Sequence, residues 1–267
     1  MSRCSLNEQF NEQFDAVAQR IIKARTDACA IDPISAEYPQ FDMDDAYAIQ
    51  QRVNARRIAD GGRVVGYKIG LTSKAVQEQL GVGQPDYGVL FADMELRQGE
   101  MLDCGRLIAP KAEGEIGFAF KNDIDRGDLT LMELQAEIDF FFPVIEIVDS
   151  VVRDWKIGIV DTIADNASSA RYLVGAKTFS PRGVDFGALE LSISAPQGEL
   201  RGRGEACLGN PLYATHWLVK KLNELEVPIK RGQIVLSGAM APMVPITPGC
   251  EIAFDFAGLE RLLLTAR

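Results

Sequence analysis

Lys111-Ala-Glu113-Gly-Glu115-Ile-Gly-Phe-Ala-Phe120 decides how the rest of the chain is read. Small and apolar residues surround two carboxylates placed two apart. Side chains alternate across a strand, so a strand puts Glu113 and Glu115 on one face, with Ile116, Phe118 and Phe120 on or bordering the other. Gly117 and Ala119 continue the glutamate face. A solvated face would carry Lys, Thr or Gln there; small residues leave room for a ligand or another backbone. A second apolar run, Phe140-Phe-Phe-Pro-Val-Ile-Glu146-Ile-Val-Asp-Ser150, is interrupted by a single Glu, an expensive place for an unpaired charge. Three carboxylates on two apolar strands point to a site for a hard divalent cation. Pattern alone leaves two plainer readings open. The Glu-x-Glu can be the wet face of an amphipathic sheet, and Glu146 can be a core carboxylate paired with an Arg.

The 267 residues can bury a sizeable core, and their charged and hydrophobic fractions are ordinary for a globular protein. A net charge of −10 argues against nucleic acid and anionic membrane surfaces as partners. It also means that an anionic substrate needs a local positive centre, from a metal or a Lys. The five cysteines are widely scattered and no pair has C-x-x-C spacing, so neither a zinc site nor a disulfide framework is indicated. The N-terminus lacks the apolar core of a signal peptide and no run reaches transmembrane length, so a cytoplasmic protein is expected.

Leu6, Phe10, Phe14, Val17 and Ile21 recur at spacings of three and four, which predicts an amphipathic helix over 6–25. A Pro-containing connector leads to a second helix, with Asp42 as cap, Asp45 in the first turn and Gly61-Gly62 at its end. Residues 1–62 are expected to be a helical segment packed on a β-rich core of 63–267, in one domain overall. From Val64 the texture changes to short β runs punctuated by Gly. Arg63–Ser73 reads as a strand leading into a short helix capped by Thr72 or Ser73, with Gly81 beyond its end. Lys68 lies inside that strand. It either snorkels to the surface or serves a ligand that its flanking glycines let approach. Gln84-Pro-Asp86-Tyr-Gly88 reads as a turn by composition. Thr130-Leu-Met-Glu133 is a capping box opening a helix. Asp161–Arg171 is polar within an apolar region, either a helix start or a site loop. Strands are expected at Leu189–Ser194, Glu199–Gly204, Gln233–Ser237, Glu251–Phe256 and Glu260–Leu264, with one helix at Pro211–Leu222 and a hairpin around Ala257-Gly258.

The single histidine, His216, falls mid-helix beside Trp217 and reads as a packing or partly exposed residue. Ser-His-Asp or Cys-His catalysis would rest on it alone. Proton transfers are therefore expected from carboxylates, Lys or a metal-bound water.

Several of these stretches together resemble the 2-hydroxypenta-2,4-dienoate (2-keto-4-pentenoate) hydratases, which stand with the 4-oxalocrotonate decarboxylases in the fumarylacetoacetate-hydrolase superfamily. They are Gly66–Lys74, Leu80–Gly88, Ala112–Ile116, Pro143–Ser150, Asp154-Trp-Lys156, Asp161–Ser168 and Leu208-Gly-Asn-Pro211. The resemblance runs from about residue 40 to the C-terminus. It implies an α+β fold with a mixed β-sandwich or β-roll core, and Mg²⁺ or Mn²⁺ held by Glu113, Glu115 and Glu146. It implies a site lysine at Lys68 and, in the hydratases, an aspartate at Asp86, with Ser168 a weaker candidate for contacting substrate or water. A small anionic 2-oxo or 2-hydroxy acid substrate, a role in meta-cleavage of aromatic compounds and symmetric homo-oligomers are implied as well. So is association with a paralogous decarboxylase or downstream aldolase.

Within that resemblance Asp86 favours the hydratases, because an uncharged residue is expected there in the decarboxylases. Asp154-Trp-Lys156 leans the same way. Asp165–Tyr172 reads more like the decarboxylase branch, with Arg171 available for a second carboxylate; a longer-chain 2-hydroxydienoate is a further alternative. A fumarylacetoacetate-type hydrolase would need a His–carboxylate pair near the metal, for which His216 is poorly placed.

Overall fold

The computed structural model describes residues 3–74, 77–78 and 81–267. The first helix spans Arg3–Asp27 and buries Phe14, Val17, Ala18, Ile21 and Ala24, the stripe that the three-and-four spacing predicts; the side chain of Leu6 lies outside the described residues. The second long helix, Met43–Ala59, opens on a reciprocal capping box. Asp42 Oδ1 accepts from the amides of Asp44 and Asp45 at 2.9 and 3.0 Å, and Asp45 returns the bond to the Asp42 amide at 3.1 Å. Gly61, at φ +95°, takes a conformation that favours glycine and ends the helix. Both helices contribute to one continuous apolar core with the strands, through Ile21 and Ile49 on one side and Ile116, Phe118 and Ile145 on the other.

The strands are β1 (Val64–Gly70), β2 (Asp86–Phe91), β3 (Glu95–Leu96), β4 (Met101–Leu102), β5 (Lys111–Phe120), β6 (Ile138–Val148), β7 (Ser169–Val174), β8 (Glu190–Ala195), β9 (Gly198–Arg203), β10 (Ile234–Leu236), β11 (Val244–Pro245), β12 (Glu251–Phe256) and β13 (Arg261–Ala266). They form two mixed sheets. The larger has the order β2-β1-β10-β5-β6-β7-β3, with β11 on the end of β5; the smaller has the order β4-β13-β12-β8-β9. The α+β class expected from the sequence holds. The sheets meet face to face at Gly114, where a Cβ would stand 2.5 Å from Leu191 and 2.9 Å from Phe254. Only glycine lets the small sheet approach β5 so closely.

Helix Leu131–Glu137 starts at the expected Thr130–Glu133 capping box, and helix Pro211–Glu224 is capped by Asn210 with Pro211 in its first turn. The short helix expected after Ser73 falls mostly on residues outside the described ones. The turn expected at 84–88 is not one. Asp86 begins β2 and pairs with Gly70 on β1, so Pro85 marks a strand entrance, where a missing amide costs nothing. Among the described residues no helix is long and apolar enough to cross a membrane.

The two faces of β5 go different ways. Ala112, Ile116, Phe118 and Phe120 join the main core. The glutamate face continues through Gly117 and Ala119 into a second, smaller core with Phe91, Phe142, Val144, Tyr172 and Leu236. The room left at Gly117 holds no ligand: a Cβ there would stand 2.3 Å from the Phe142 ring, which fills the space. The same correction applies beside Lys68. A Cβ at Gly66 would lie 2.0 Å from the Ile234 carbonyl oxygen, and one at Gly70 would lie 2.2 Å from Asp86 Oδ1. These glycines admit a neighbouring strand and a carboxylate.

Candidate active site

The register of β5 and β6 builds the first half of the site. Glu113 pairs directly with Glu146, and Glu115, two residues on, faces the same side. The three carboxylates offer oxygen atoms that all lie within 4.8 Å of one another. Glu115 and Glu146 are fully buried and Glu113 is half-buried at a cavity wall. Glu115 accepts the Gly238 amide through Oε2 at 2.7 Å, and Glu146 accepts the Ser169 hydroxyl through Oε1 at 2.7 Å. Their other oxygens, Glu115 Oε1 and Glu146 Oε2, are buried without a hydrogen-bond partner. Clustered buried carboxylate oxygens that lack hydrogen-bond partners, with only the Lys68 ammonium 3.4 Å from Glu146 Oε2 as a charge partner among the described residues, fit a hard divalent cation, which takes oxygen ligands and repays their desolvation. Burial pushes Glu113 up to about 7, with Lys68 opposing and Glu146 adding to the rise. Burial, Glu146 and Glu113 hold Glu115 well above the usual carboxylate range.

The second half comes from β1 and β2. Lys68 is almost fully buried, so the snorkelling reading fails. Its Nζ donates to the Ala167 carbonyl at 3.0 Å and lies 3.4 Å from Glu146 Oε2. Burial works against its charge, but Glu146, Glu113, Asp86 and Glu115 outweigh it and hold the ammonium above the ordinary lysine value. Asp86 is buried opposite Gly70; Thr162 donates to its Oδ2 at 3.2 Å, and Oδ1 has no partner. The point where a Gly70 Cβ would stand is 2.2 Å from Asp86 Oδ1 and 3.5 Å from Lys68 Nζ, so the two side chains converge over that glycine. Burial raises the Asp86 carboxyl above its ordinary range, against the pull of Lys68 and the Thr162 hydrogen bond.

The polar stretch after Asp161 supplies both a helix, Ile159–Ala164, and a wall of the site. Asn166, Ala167 and Ser168 follow in sequence with φ of 55°, 51° and 54°. A run of left-handed non-glycine residues costs roughly 1–2 kcal/mol each and must be held from outside. Asn166 does part of this, accepting the Val89 amide at 2.8 Å and donating to the Val89 carbonyl at 2.9 Å as a strand would. Gly88 makes the approach possible, since a Cβ there would stand 2.3 Å from the Asn166 carbonyl oxygen. The turn aims the Ala167 carbonyl at Lys68 and leaves Ser168 Oγ buried, unpartnered and beside the cavity.

Lys68, Asp86, Glu113 and Ser168 all line one cavity of about 870 Å³. Its rim carries residues that the sequence reading does not pick out. Lys111 Nζ sits 4.2 Å from the Trp155 ring centroid, and Arg203 Nε of β9 lies 3.9 Å from Glu205 Oε1, with Arg201 also in the lining. In a chain of net charge −10, the lining gathers Lys68, Lys111, Arg201 and Arg203 against Asp86, Glu113 and Glu205, and so supplies the positive centres that an anionic substrate requires. Thr162 and Ser169, the donors to Asp86 and Glu146, also escape the sequence reading; their proximity to Ser168 is the one signal for them.

Arg171 is not in the cavity wall. It is paired with Ile147 on the sheet, and its guanidinium donates to the Asp93 carbonyl, so the second-carboxylate role expected for it has no geometric basis. His216 contacts the Leu129 carbonyl at 2.6 Å, away from the cavity, as the packing reading expects. The described cysteines, Cys29, Cys104, Cys207 and Cys250, are free thiols.

No protein-family model matches the chain. It is similar to the 2-keto-4-pentenoate hydratase of Paraburkholderia xenovorans (strain LB400), 44% identical over 240 residues that cover 89% of each chain. It is 39% identical over 255 residues to the 2-hydroxyhexa-2,4-dienoate hydratase of Comamonas testosteroni, covering 93% of this chain and 96% of that one. Among solved structures it matches 4-oxalocrotonate decarboxylase from Pseudomonas putida G7, complexed with magnesium and adipate. That match has a TM-score of 0.92 and 32% identity, covering 96% of this chain and 98% of the other; the decarboxylase is a member of the fumarylacetoacetate-hydrolase superfamily.

Proposed function

This chain belongs to the 2-keto-4-pentenoate hydratase family, and from that premise we propose that it is a hydro-lyase adding water to 2-hydroxypenta-2,4-dienoate. The product is 4-hydroxy-2-oxopentanoate. The observation that carries the assignment to this cavity is the convergence of Asp86 and Lys68 over Gly70, beside three clustered carboxylates of which Glu115 and Glu146 each hold an oxygen without a hydrogen-bond partner.

The reaction needs the 2-hydroxyl proton removed and a proton delivered to C5 as the dienol becomes a 2-oxo-3-enoate, then water oxygen bonding to C4 with loss of one of its protons and a proton delivered to C3. Glu113, Glu115 and Glu146 would hold a Mg²⁺ or Mn²⁺ ion. Such an ion offsets the charge of the substrate's carboxylate and 2-oxo group and stabilises developing enolate charge. Lys68, kept cationic by its carboxylate neighbours, supplies a second positive centre against the enolate oxygen. Asp86, whose carboxyl burial raises above its ordinary range, delivers a proton through its unpartnered Oδ1 or orients the incoming water. Thr162 fixes the other oxygen, so Asp86 presents one face to the cavity. Ser168 Oγ is placed to contact substrate or water. The cations of the cavity lining, Lys111, Arg201 and Arg203, favour entry of the acid.

The similarity to a decarboxylase favours a second reading, loss of CO₂ from 4-oxalocrotonate by the same enolate logic. The 2-hydroxyhexa-2,4-dienoate hydratase raises a third, a dienoate one carbon longer. Metal-stripped protein with Mg²⁺ or Mn²⁺ restored, offered each acid separately, decides among them. Metal-dependent loss of dienol absorbance without CO₂ release is expected. CO₂ from the dicarboxylate would make it a decarboxylase, and no metal-dependent turnover of any of these acids would overturn the assignment.

A further inference from the structure

Arg25 belongs to the helix Arg3–Asp27, a stretch with no functional signal in the sequence, yet it reaches the back of the site. Its Nε lies 3.1 Å from Asp165 Oδ1, and its Nη2 lies 2.8 and 2.9 Å from the two Asp165 oxygens. Its Nη1 donates to Asp149 Oδ2 at 3.3 Å. Both aspartate side chains are 2% exposed and the Arg25 side chain is three-quarters buried. Asp165 immediately precedes the left-handed turn and also accepts the Val151 amide at 2.9 Å. Asp149 immediately follows β6. Its carboxylate accepts the Ile108 and Ala109 amides on the approach to β5, and its own amide donates to the Ser168 carbonyl at 2.8 Å. The Ser168 amide closes the turn on the Asp165 carbonyl at 3.0 Å.

One guanidinium therefore ties together the entrance to the strand that supplies Glu113, the exit of the strand that supplies Glu146, and the turn that supplies Ala167 O and Ser168 Oγ. We propose that Arg25 is a positioning residue of the active site, holding Asp149 and Asp165 together so that the turn 166–168 keeps its left-handed form and Lys68 its acceptor. The proposal rests on reading this cavity as the active site. A strained turn persists only where its surroundings over-determine it. Two buried like charges left without Arg25 would instead push its flanks apart. Lys cannot replace the fork, because an ammonium does not bond both oxygens of one carboxylate and reach a second at once.

The test compares the full chain with Arg25→Lys, which keeps the charge and loses the fork, and Arg25→Met. For Arg25→Lys we expect a folded protein whose kcat falls about 10²-fold, the cost of a misplaced group of this kind, with KM changed less than about threefold. Independently of turnover, amide hydrogen exchange at Asp149 and Ser168 should quicken at least about tenfold in that variant while β12 and β13 exchange as before. N-Methylguanidinium added to Arg25→Met should recover part of the lost kcat. Wild-type exchange at Asp149 and Ser168 retained in Arg25→Lys would overturn the proposal. So would unchanged kcat with only a lower Tm, or a chain that cannot fold without the guanidinium. Absence of turnover in the wild type would count against the functional reading alone, since the exchange comparison still stands.

Discussion

Glu113 and Glu146 stand directly opposite each other across the β5–β6 ladder, two carboxylates where a sheet ordinarily avoids facing like charges. The pair makes sense as ligands and is a burden otherwise. Mg²⁺ added to metal-stripped protein should raise Tm, by the equivalent of about 2.7 kcal/mol at a hundredfold excess over Kd. Glu113→Gln removes the repulsion without touching Ser169 or Gly238. We expect its metal-stripped Tm to be no lower than wild type, its Mg²⁺ response to vanish in a thermal melt, and turnover to fall at least about 100-fold. A variant that keeps full activity and its Mg²⁺ response would remove Glu113 from the ligand set.

The raised carboxyls give metal binding a pH dependence. Glu113, at about 7, must lose its proton to ligate a cation, so apparent Mg²⁺ affinity should rise about tenfold between about pH 6 and pH 8. Fold stability runs the other way in stripped protein. Between the ordinary value of 4.5 and about 7 the folded chain binds more protons than the unfolded one, so its stability falls as pH rises through that window. Calorimetric titrations and urea melts at both pH values check the two slopes; parallel slopes would be inconsistent with this account.

Asp86→Asn keeps the volume and a partner for Thr162 but loses the ionisable group. We expect kcat to drop by about 10²–10⁴, the usual worth of a positioned acid or base, while Mg²⁺ affinity stays within about threefold. Gly70→Ala should reach a similar result by another route, since its Cβ would displace Asp86 Oδ1 from 2.2 Å away. Stopped-flow traces of dienol decay would report both.

His216→Gln tests the exclusion of histidine chemistry. Its contact with the Leu129 carbonyl is worth about 1 kcal/mol of stability, so Tm should fall slightly with kcat within about twofold of wild type. A large loss of kcat in a folded variant would reopen a His-dependent hydrolase.

The carboxylate trio was legible because strand periodicity and the cost of a lone charge are local facts. Helix caps at Asp42 and Thr130 were legible for the same reason. Asp86 was misplaced because Pro85 and Gly88 look like turn punctuation, whereas Gly88 is there for the close approach of Asn166 O. Gly117 reads as room for a ligand or another backbone, and takes neither, because the Phe142 ring that fills it comes from a neighbouring strand. Arg25 left no trace at all: its partners lie 124 and 140 residues away, and no window of sequence brings them together. The run of left-handed residues at 166–168 is equally silent, since Ala and Ser carry no mark of that conformation.

The order of strands in the large sheet also governs when the site can exist. β10 lies between β1 and β5, so among the described residues the ribbon bearing Lys68 and Asp86 joins the ribbon bearing the glutamates by strand pairing through residues 234–236. On a ribosome, the glutamate ladder can pair long before that segment emerges, while the docking of Lys68 and Asp86 beside it waits for nearly the whole chain. Such late closure makes for slow folding with unpaired edges, and chains arrested before Ile234 should carry the metal's ligands without the chemistry.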